Sequence, residues 1–147
     1  MLGAMTIERA GPWPPRPSPS GKALWHWAPK TVADLPRIRS ELREGLARLP
    51  GHRQPELEEV LPLLLDELLA NGLRHGNPPV TAEVRRSARE WVVEVGDQAS
   101  AAAPEPAVGR DPALGGMGLH IVASLSSAHG WFVEGGRKFV WTSLPAV

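Results

Sequence analysis

The sequence predicts an α+β fold, a two-layer α/β sandwich in which a mixed, mostly antiparallel sheet is covered on one face by about three helices. Leucine-rich segments with helical spacing and short alternating runs in neighbouring pairs support this prediction. Strands that pair with their neighbours in sequence, beside helices gathered on one face, are typical of this class. A chain of 147 residues with 42% apolar composition can form one such core.

The first twenty residues differ from the rest of the chain in composition. Residues 11–20 read Gly-Pro-Trp-Pro-Pro-Arg-Pro-Ser-Pro-Ser, with proline at nearly every second position. Proline lacks the backbone N–H that helices and sheet ladders require. We therefore expect residues 1–20 to be a disordered or extended tail, with a proline-rich docking peptide as the alternative. Residues 21–147 are expected to form one domain.

An alternating aromatic run at residues 24–28 predicts an edge strand, and two amphipathic helices follow it. The first helix has a cap at Thr31 or Asp34, and the second has Pro55 in its first turn. Pro62 predicts a kink or a late start of the second helix. The apolar positions of the two helices are Leu35, Ile38, Leu42, Leu46 and Leu49, and then Leu57, Val60, Leu61, Leu64, Leu65, Leu68 and Leu69.

The second half of the chain alternates between hairpins and a third helix. Residues 80–87 and 90–95 predict an antiparallel hairpin, and residues 131–134 and 138–144 a closing one. Between the hairpins, the Ala- and Pro-rich residues 98–114 predict a functional lid or a disordered segment. A glycine-rich turn then leads into a helix with an apolar stripe, which consists of Leu119, Val122 and Leu125.

Charge and composition exclude several classes of function. Lys plus Arg equals Asp plus Glu at 16 each, so we expect no broad basic surface for nucleic acid or anionic membrane. There is no cysteine, which excludes disulfides and thiolate chemistry and suits a reducing compartment. No apolar run approaches the roughly 20 residues that span a bilayer. We therefore expect a cytoplasmic protein.

Polar side chains with catalytic chemistry line one side of the second helix. Glu67, Asn71 and His75 are four residues apart, and Arg74 is three from Asn71, so they share one helical face opposite the leucines. Such a stripe can ligate Mg²⁺ through the Asn oxygen, hold phosphate with Arg and His, and use Glu as a base. A stripe of this kind is more often a solvated face.

Two further segments could complete a nucleotide site. Asp97 ends an apolar strand, where its carboxylate can accept a hydrogen bond from an exocyclic amine. Residues 115–119 read Gly-Gly-Met-Gly-Leu at the start of the third helix, where bare backbone N–H groups and the helix dipole can cradle phosphate. Taken singly, an Asp after a strand is usually a turn residue, and a glycine-rich turn is commonly only a helix entry.

In order and spacing these segments resemble the GHKL ATPases, whose fold is the Bergerat fold. Glu67-x3-Asn71 resembles the N box, Asp97 the first glycine-box acid, and residues 116–119 the second glycine box. The longer run Glu67-Leu-Leu-Ala-Asn-Gly-Leu-Arg-His-Gly76 and the closing residues 135–141 resemble the anti-sigma-factor serine kinases of the RsbW and SpoIIAB type, in their actinobacterial form. The resemblance covers roughly residues 22–145.

The resemblance implies ATP and Mg²⁺ as ligands and gives each matching position a role. Asn71 would coordinate Mg²⁺, and Glu67 would be the catalytic base. Asp97 would bind the adenine amino group, with Thr142 nearby. The phosphate side would be formed by Arg74, His75 and Gly76, and by the turn with Gly116, Met117, Gly118 and Leu119.

The resemblance also implies partners, namely a STAS-type anti-sigma-factor antagonist that is phosphorylated on Ser or Thr and a sigma factor that is sequestered. The sequence departs from the wider pattern after Asp97, where Gln-Ala-Ser stands in place of a glycine-containing loop. The alternative hypothesis is therefore a non-catalytic module that only sequesters a regulator. An exposed edge at Trp25 or Trp27 would allow a homodimer.

Overall fold

The computed structural model describes residues 13–51, 53–101, 103–104 and 117–146, with the side chain of Met117 left aside. Over these residues the chain forms five strands and three α-helices, which confirms the predicted α+β sandwich. The elements in chain order are β1 (Lys22–Trp27), α1 (Leu35–Ala47), α2 (Pro55–His75), β2 (Thr81–Arg86), β3 (Glu90–Asp97), α3 (Met117–Leu125), β4 (Ala128–Glu134) and β5 (Arg137–Pro145).

The five strands form one sheet with the order β1-β2-β3-β5-β4, so β3 is central. All four neighbouring pairs are antiparallel, whereas the sequence predicted a mixed sheet. Both predicted hairpins are present, as β2–β3 and β4–β5. The tight turn of the second hairpin uses Gly135 and Gly136, whose φ angles of 59° and 77° match the turn type that fits strand twist.

The helix boundaries follow from capping and from leucine burial. Thr31 caps a short 3-10 turn (Val32–Asp34) that leads into α1, and its hydroxyl accepts the N–H of Ala33. Helix α2 begins at Pro55 and passes through the buried Pro62, so the predicted late start is wrong. A proline inside a helix removes one hydrogen bond, and burial of Leu61, Leu64 and Leu65 offsets that cost.

The leucine face of α2 forms the centre of the core. It packs against α1, α3 and the covered face of the sheet. Leu119 and Val122 of α3 are buried, but Leu125, the third member of the predicted stripe, is 41% exposed. The fully buried leucines of α2 are Leu61, Leu64, Leu65, Leu68 and Leu69.

Gly45 in α1 is expected to tolerate no side chain. A Cβ at this position would lie 2.6 Å from Cζ2 of Trp25, whose ring stacks on Trp91 at 6.3 Å and cannot move freely. Glycine to alanine in a helix normally gains about 1 kcal/mol, but here we expect Gly45→Ala to lose about 1–3 kcal/mol through overpacking. Urea unfolding measures this, with the exposed Ser40→Ala as control; a stabilised Gly45→Ala variant would contradict the packing.

Residues 13–20, which we call the strap, lie against the sheet and begin along the free edge of β4. Trp13 is 2% exposed, and Pro15 forms a parallel bridge with Trp131. The indole N–H groups of Trp131 and Trp141 donate to the carbonyls of Trp13 and Arg16 at 3.1 and 3.0 Å. Prolines remove backbone donors, but the carbonyls of the strap remain acceptors for these indoles.

The strap then crosses the sheet face that the helices leave open. Arg85 on β2 donates to the Ser18 hydroxyl and to the Pro19 carbonyl, both at 2.9 Å, and Ser18 donates to Glu94 at 2.6 Å. For residues 13–20 these contacts favour the extended alternative over disorder, because tryptophan burial and side-chain donors hold the segment against the sheet. Residues 1–12 lie outside the described part of the chain.

Candidate functional site

Glu67 lies against the first turn of α3. The carboxylate Oε2 of Glu67 occupies the position that a Cβ on Gly118 would take, so α2 and α3 approach each other closely here. The backbone N–H groups of a helix's first turn lack partners within the helix and favour a nearby anion. The contact therefore brings together the predicted base and the predicted phosphate-binding turn, which are 51 residues apart in sequence.

The pKa of the Glu67 carboxyl is raised above its ordinary value. Partial burial is the main cause and the neighbouring Asp66 carboxylate the second, while Arg74 opposes the shift. Asp66 itself pairs with Arg39 of α1 at 3.0 Å. A carboxylate with a raised pKa is a better proton acceptor near neutral pH, which is the property a general base needs.

The raised pKa predicts that Glu67 lowers stability at neutral pH. The folded state holds this proton more tightly than the unfolded state, so stability falls as pH rises from the unfolded carboxyl pKa of about 4.3 through the raised pKa. We expect Glu67→Gln to raise the free energy of unfolding at pH 7, with a gain that shrinks as pH falls towards 4. Urea titrations across this pH range test it, and a pH-independent difference between the two proteins would contradict it.

The remaining polar residues of α2 lie further along the same side. Asn71 is half-buried, one turn after Glu67, and its carboxamide makes no hydrogen bond to any described residue. Arg74 and His75 are exposed in the last turn of the helix. Among the described residues, none forms a hydrogen bond with these three side chains, which were assigned to metal and phosphate.

Asp97 forms the other end of the candidate site, at the end of the central strand. It is 2% exposed, and Gly76 approaches it so closely that a Cβ there would lie 2.6 Å from the carboxyl carbon of Asp97. Its Oδ1 accepts the Ala99 N–H at 2.6 Å. With this hydrogen bond the Asp97 side chain closes the turn that a glycine-containing loop forms in the wider GHKL pattern. The described residues of this turn therefore need no positive φ.

Lys138 is the site residue that the sequence reasoning missed. It lies directly opposite Asp97 in the β3–β5 register, and its Nζ is 3.7 Å from Oδ2 of Asp97. Both side chains are almost fully buried, at 6% and 3% exposure. Lysine is rarely buried unless paired, so its type alone gave no signal. The register between the strands β3 and β5 would have placed Lys138 opposite Asp97, but the sequence does not give that register.

Thr142 lies away from Asp97 in the structure. It pairs with Val93, four residues along β5 from Lys138, which corresponds to about 14 Å at 3.4 Å per residue. Its hydroxyl is fully buried and hydrogen-bonded to Ser126. The expectation that Thr142 borders the same base as Asp97 therefore conflicts with the strand register, which residue type alone did not reveal.

The other predicted residues are placed as follows. Leu119 is 1% exposed and belongs to the core, so its backbone N–H alone remains for a ligand. Gly118 is described above. Gly116 lies outside the described residues, as does most of the predicted lid.

Helix α2 connects the two ends of the candidate site. From Glu67, which contacts Gly118, to Gly76, which contacts Asp97, the helix rises nine residues or about 13 Å. Asn71 lies between these two contacts on the polar side. Asp97 therefore lies at one end of the candidate site and the start of α3 at the other.

These residues fit a magnesium-nucleotide complex better than a resident metal ion. The described residues contain no group of three His, Cys, Asp or Glu side chains that could hold a metal by themselves. Asn71, by contrast, offers one carboxamide oxygen, which suits Mg²⁺ that takes its other ligands from phosphate and water.

A groove of about 1000 Å³ lies away from the candidate site. It runs along α1 and α2 and is lined by Arg39, Leu63, Asp66 and Leu125 among others. None of the predicted site residues lines it. This groove and the candidate nucleotide site are therefore separate features.

The sequence comparisons agree with this geometry. The family model of the histidine kinase-like ATPase domain matches residues 28–141, which is most of the chain. The chain therefore belongs to the histidine kinase-like ATPase domain family, and this membership supports ATP binding in a regulatory protein. None of the curated proteins matches the chain significantly. Among the described residues, no helix is long and apolar enough to cross a membrane.

Proposed function

We propose that this protein binds Mg-ATP and transfers the γ-phosphoryl group to a Ser or Thr hydroxyl of a STAS-type anti-sigma-factor antagonist. In alternation with this reaction it sequesters a sigma factor, and both activities belong in the cytoplasm. One observation supports the proposal most directly. Glu67, with its raised pKa, lies against the N-terminal turn of α3 and one helical turn from Asn71, whose carboxamide makes no hydrogen bond to any described residue.

Under this proposal each residue of the candidate site has a role in nucleotide binding or phosphoryl transfer. Bound Mg²⁺ would neutralise phosphate charge, and Asn71 would hold it by its carboxamide oxygen. Glu67 would accept the proton of the attacking hydroxyl. The exposed Arg74 and His75 would bind phosphate oxygens from the end of α2, and Asp97 would accept a hydrogen bond from the base.

A phosphotransfer assay tests the proposal. The full chain is mixed with γ-labelled Mg-ATP and a STAS protein encoded beside it, and a variant STAS protein with alanine at the acceptor hydroxyl is the control. We expect label on the STAS protein, dependent on Mg²⁺ and on the acceptor hydroxyl. Label that appears equally on the alanine variant, or none under any condition, would contradict kinase activity.

A second candidate function is a binding module that sequesters a regulator without phosphate transfer. The observation that favours it is Asp97, whose carboxylate already accepts the Ala99 N–H and pairs with the buried Lys138. A ligand that binds only the folded state must raise its melting temperature. A chain that binds a sigma factor but shows no thermal shift with Mg-ATP would favour this function over the kinase.

A further inference from the structure

An ion pair joins the first two helices beside the candidate site. Arg39 of α1 donates to Oδ1 of Asp66 on α2 at 3.0 Å, and the two residues are 27 apart in sequence. Their side chains are 37% and 22% exposed, so solvent screens the pair only in part. Asp66 is the residue directly before Glu67. The pair therefore adjoins the proposed base, and none of the roles proposed above uses it.

Partial burial is the main cause of the raised pKa of Glu67, and two charged groups modify it. Among the described residues these are Asp66, which adds to the rise, and Arg74, which opposes it, and both lie on α2. The start of α3, which packs against Glu67, carries no titratable side chain at residues 117–119. Helix α1 contributes the cation of Arg39, which is bonded to Asp66. A change on α1 would therefore reach Glu67 through Asp66.

We infer that Arg39 is a positioning residue for the base: its ion pair holds the Asp66 carboxylate towards α1 and offsets a negative charge beside Glu67. The inference rests on the proposed function, in which Glu67 accepts the hydroxyl proton. Successive residues of a helix point about 100° apart, so the pair with α1 directs Asp66 away from the side of Glu67. Without the guanidinium, the Asp66 carboxylate can turn towards Glu67 with its charge uncompensated. Two neighbouring carboxylates oppose each other's ionisation, so Glu67 would then hold its proton to higher pH.

Heteronuclear NMR titration of the side-chain carboxyl carbons tests the inference on the full chain without nucleotide. Glu67→Gln identifies the resonance, because it removes that carboxyl alone. Arg39→Gln removes the cation, and we expect the pKa of Glu67 to rise by about 0.5 pH unit, the order of a partly exposed charge pair. Arg39→Lys keeps the cation and should restore most of the wild-type pKa.

Arg37→Gln is the matched control. Arg37 lies on the same helix, but its side chain is 59% exposed and pairs with Glu41 at 3.0 Å. The variant therefore removes an equal charge from α1 and leaves the contact with Asp66 in place. The pKa of Glu67 should not move in this variant. An unchanged pKa in Arg39→Gln, or an equal rise in Arg37→Gln, would overturn the inference.

The double variant Arg39→Gln/Asp66→Asn shows whether the effect passes through Asp66. Asp66→Asn alone should lower the pKa of Glu67, because it removes the neighbouring carboxylate. In this background the loss of Arg39 should move the pKa by less than about half as much as in the wild type. A rise as large as in the wild-type background would mean that Arg39 acts on Glu67 directly, and it would overturn the inference.

Single-turnover transfer measured against pH connects the inference with the proposed function. In Arg39→Gln the acid limb of the profile should move to higher pH by the same amount, which lowers the rate at acid pH by about threefold. On the alkaline side the rate should stay within about twofold of the wild type, because the base is ionised there in both proteins. A loss of rate that is equal at every pH would indicate a merely structural role and would contradict the inference.

The two readouts separate failure of the inference from failure of the proposed function. If the pKa of Glu67 shifts as expected but the wild-type chain transfers no phosphate, the role of Arg39 stands and the kinase proposal fails. If the wild type transfers phosphate but the pKa of Glu67 is the same in Arg39→Gln, the kinase proposal stands and the role of Arg39 fails.

Discussion

Replacing Glu67 with glutamine is expected to lower phosphoryl transfer to the antagonist by about 10²–10⁴-fold, the range of general-base effects. Glutamine keeps the shape of the side chain against Gly118 but cannot accept the hydroxyl proton. Affinity for Mg-ATP should change little, because the metal and the base are assigned to Asn71 and Asp97. Single-turnover transfer and calorimetric titration together separate the two effects.

The matched control for this variant is Glu59→Gln. Glu59 is exposed on the same helix and lines the separate groove along α1 and α2. The control should transfer phosphate at the wild-type rate. A Glu67→Gln protein that is equally fast would show that the base is assigned wrongly, and one that loses Mg-ATP affinity would show that Glu67 acts in binding.

Replacing Asp97 with alanine is expected to have the largest effect on stability. The change leaves the Lys138 ammonium in a buried position without its carboxylate, and breaking a buried ion pair in this way costs about 3–5 kcal/mol. Urea unfolding of the free protein measures the loss. Nucleotide affinity should fall as well, since the acceptor for the base is removed.

The double variant Asp97→Ala/Lys138→Met separates the ion pair from other roles of Asp97. Removing both charges should restore stability to within about 2 kcal/mol of the wild type, because no unpaired charge stays buried. Nucleotide affinity should remain low. If the double variant is as unstable as Asp97→Ala alone, the cost comes from the lost turn hydrogen bond to Ala99 and not from the pair.

Local sequence patterns predicted most of the fold. The three- and four-residue spacing of the leucines gave α1 and α2, and alternation with glycine turns gave both hairpins, because burial on one face fixes these periods. An extended conformation of residues 13–20 was one of the two expectations, but the contacts of this strap with the sheet were not predicted. Proline was considered only as a residue that lacks a backbone donor. The carbonyls of the strap nevertheless accept hydrogen bonds from the indole N–H groups of Trp131 and Trp141.

Local patterns also predicted part of the candidate site. Helical spacing places Glu67 and Asn71 on one face whatever the rest of the fold does, so local reasoning was sufficient there. Residues on different strands require the register between strands, which composition does not give. Thr142 was therefore expected near the adenine, whereas the residue opposite Asp97 in the strand register is Lys138.

The central claim is that the polar face of α2, Asp97 and the start of α3 form one magnesium-nucleotide site. Calorimetric titration of the full chain and of Asn71→Ala with ATP, in the presence and absence of Mg²⁺, tests it most directly. We expect one ATP per wild-type chain, bound more tightly with Mg²⁺, and an Asn71→Ala protein in which Mg²⁺ no longer strengthens binding. Equal Mg²⁺ enhancement in both proteins, or no binding by the wild type, would contradict the site.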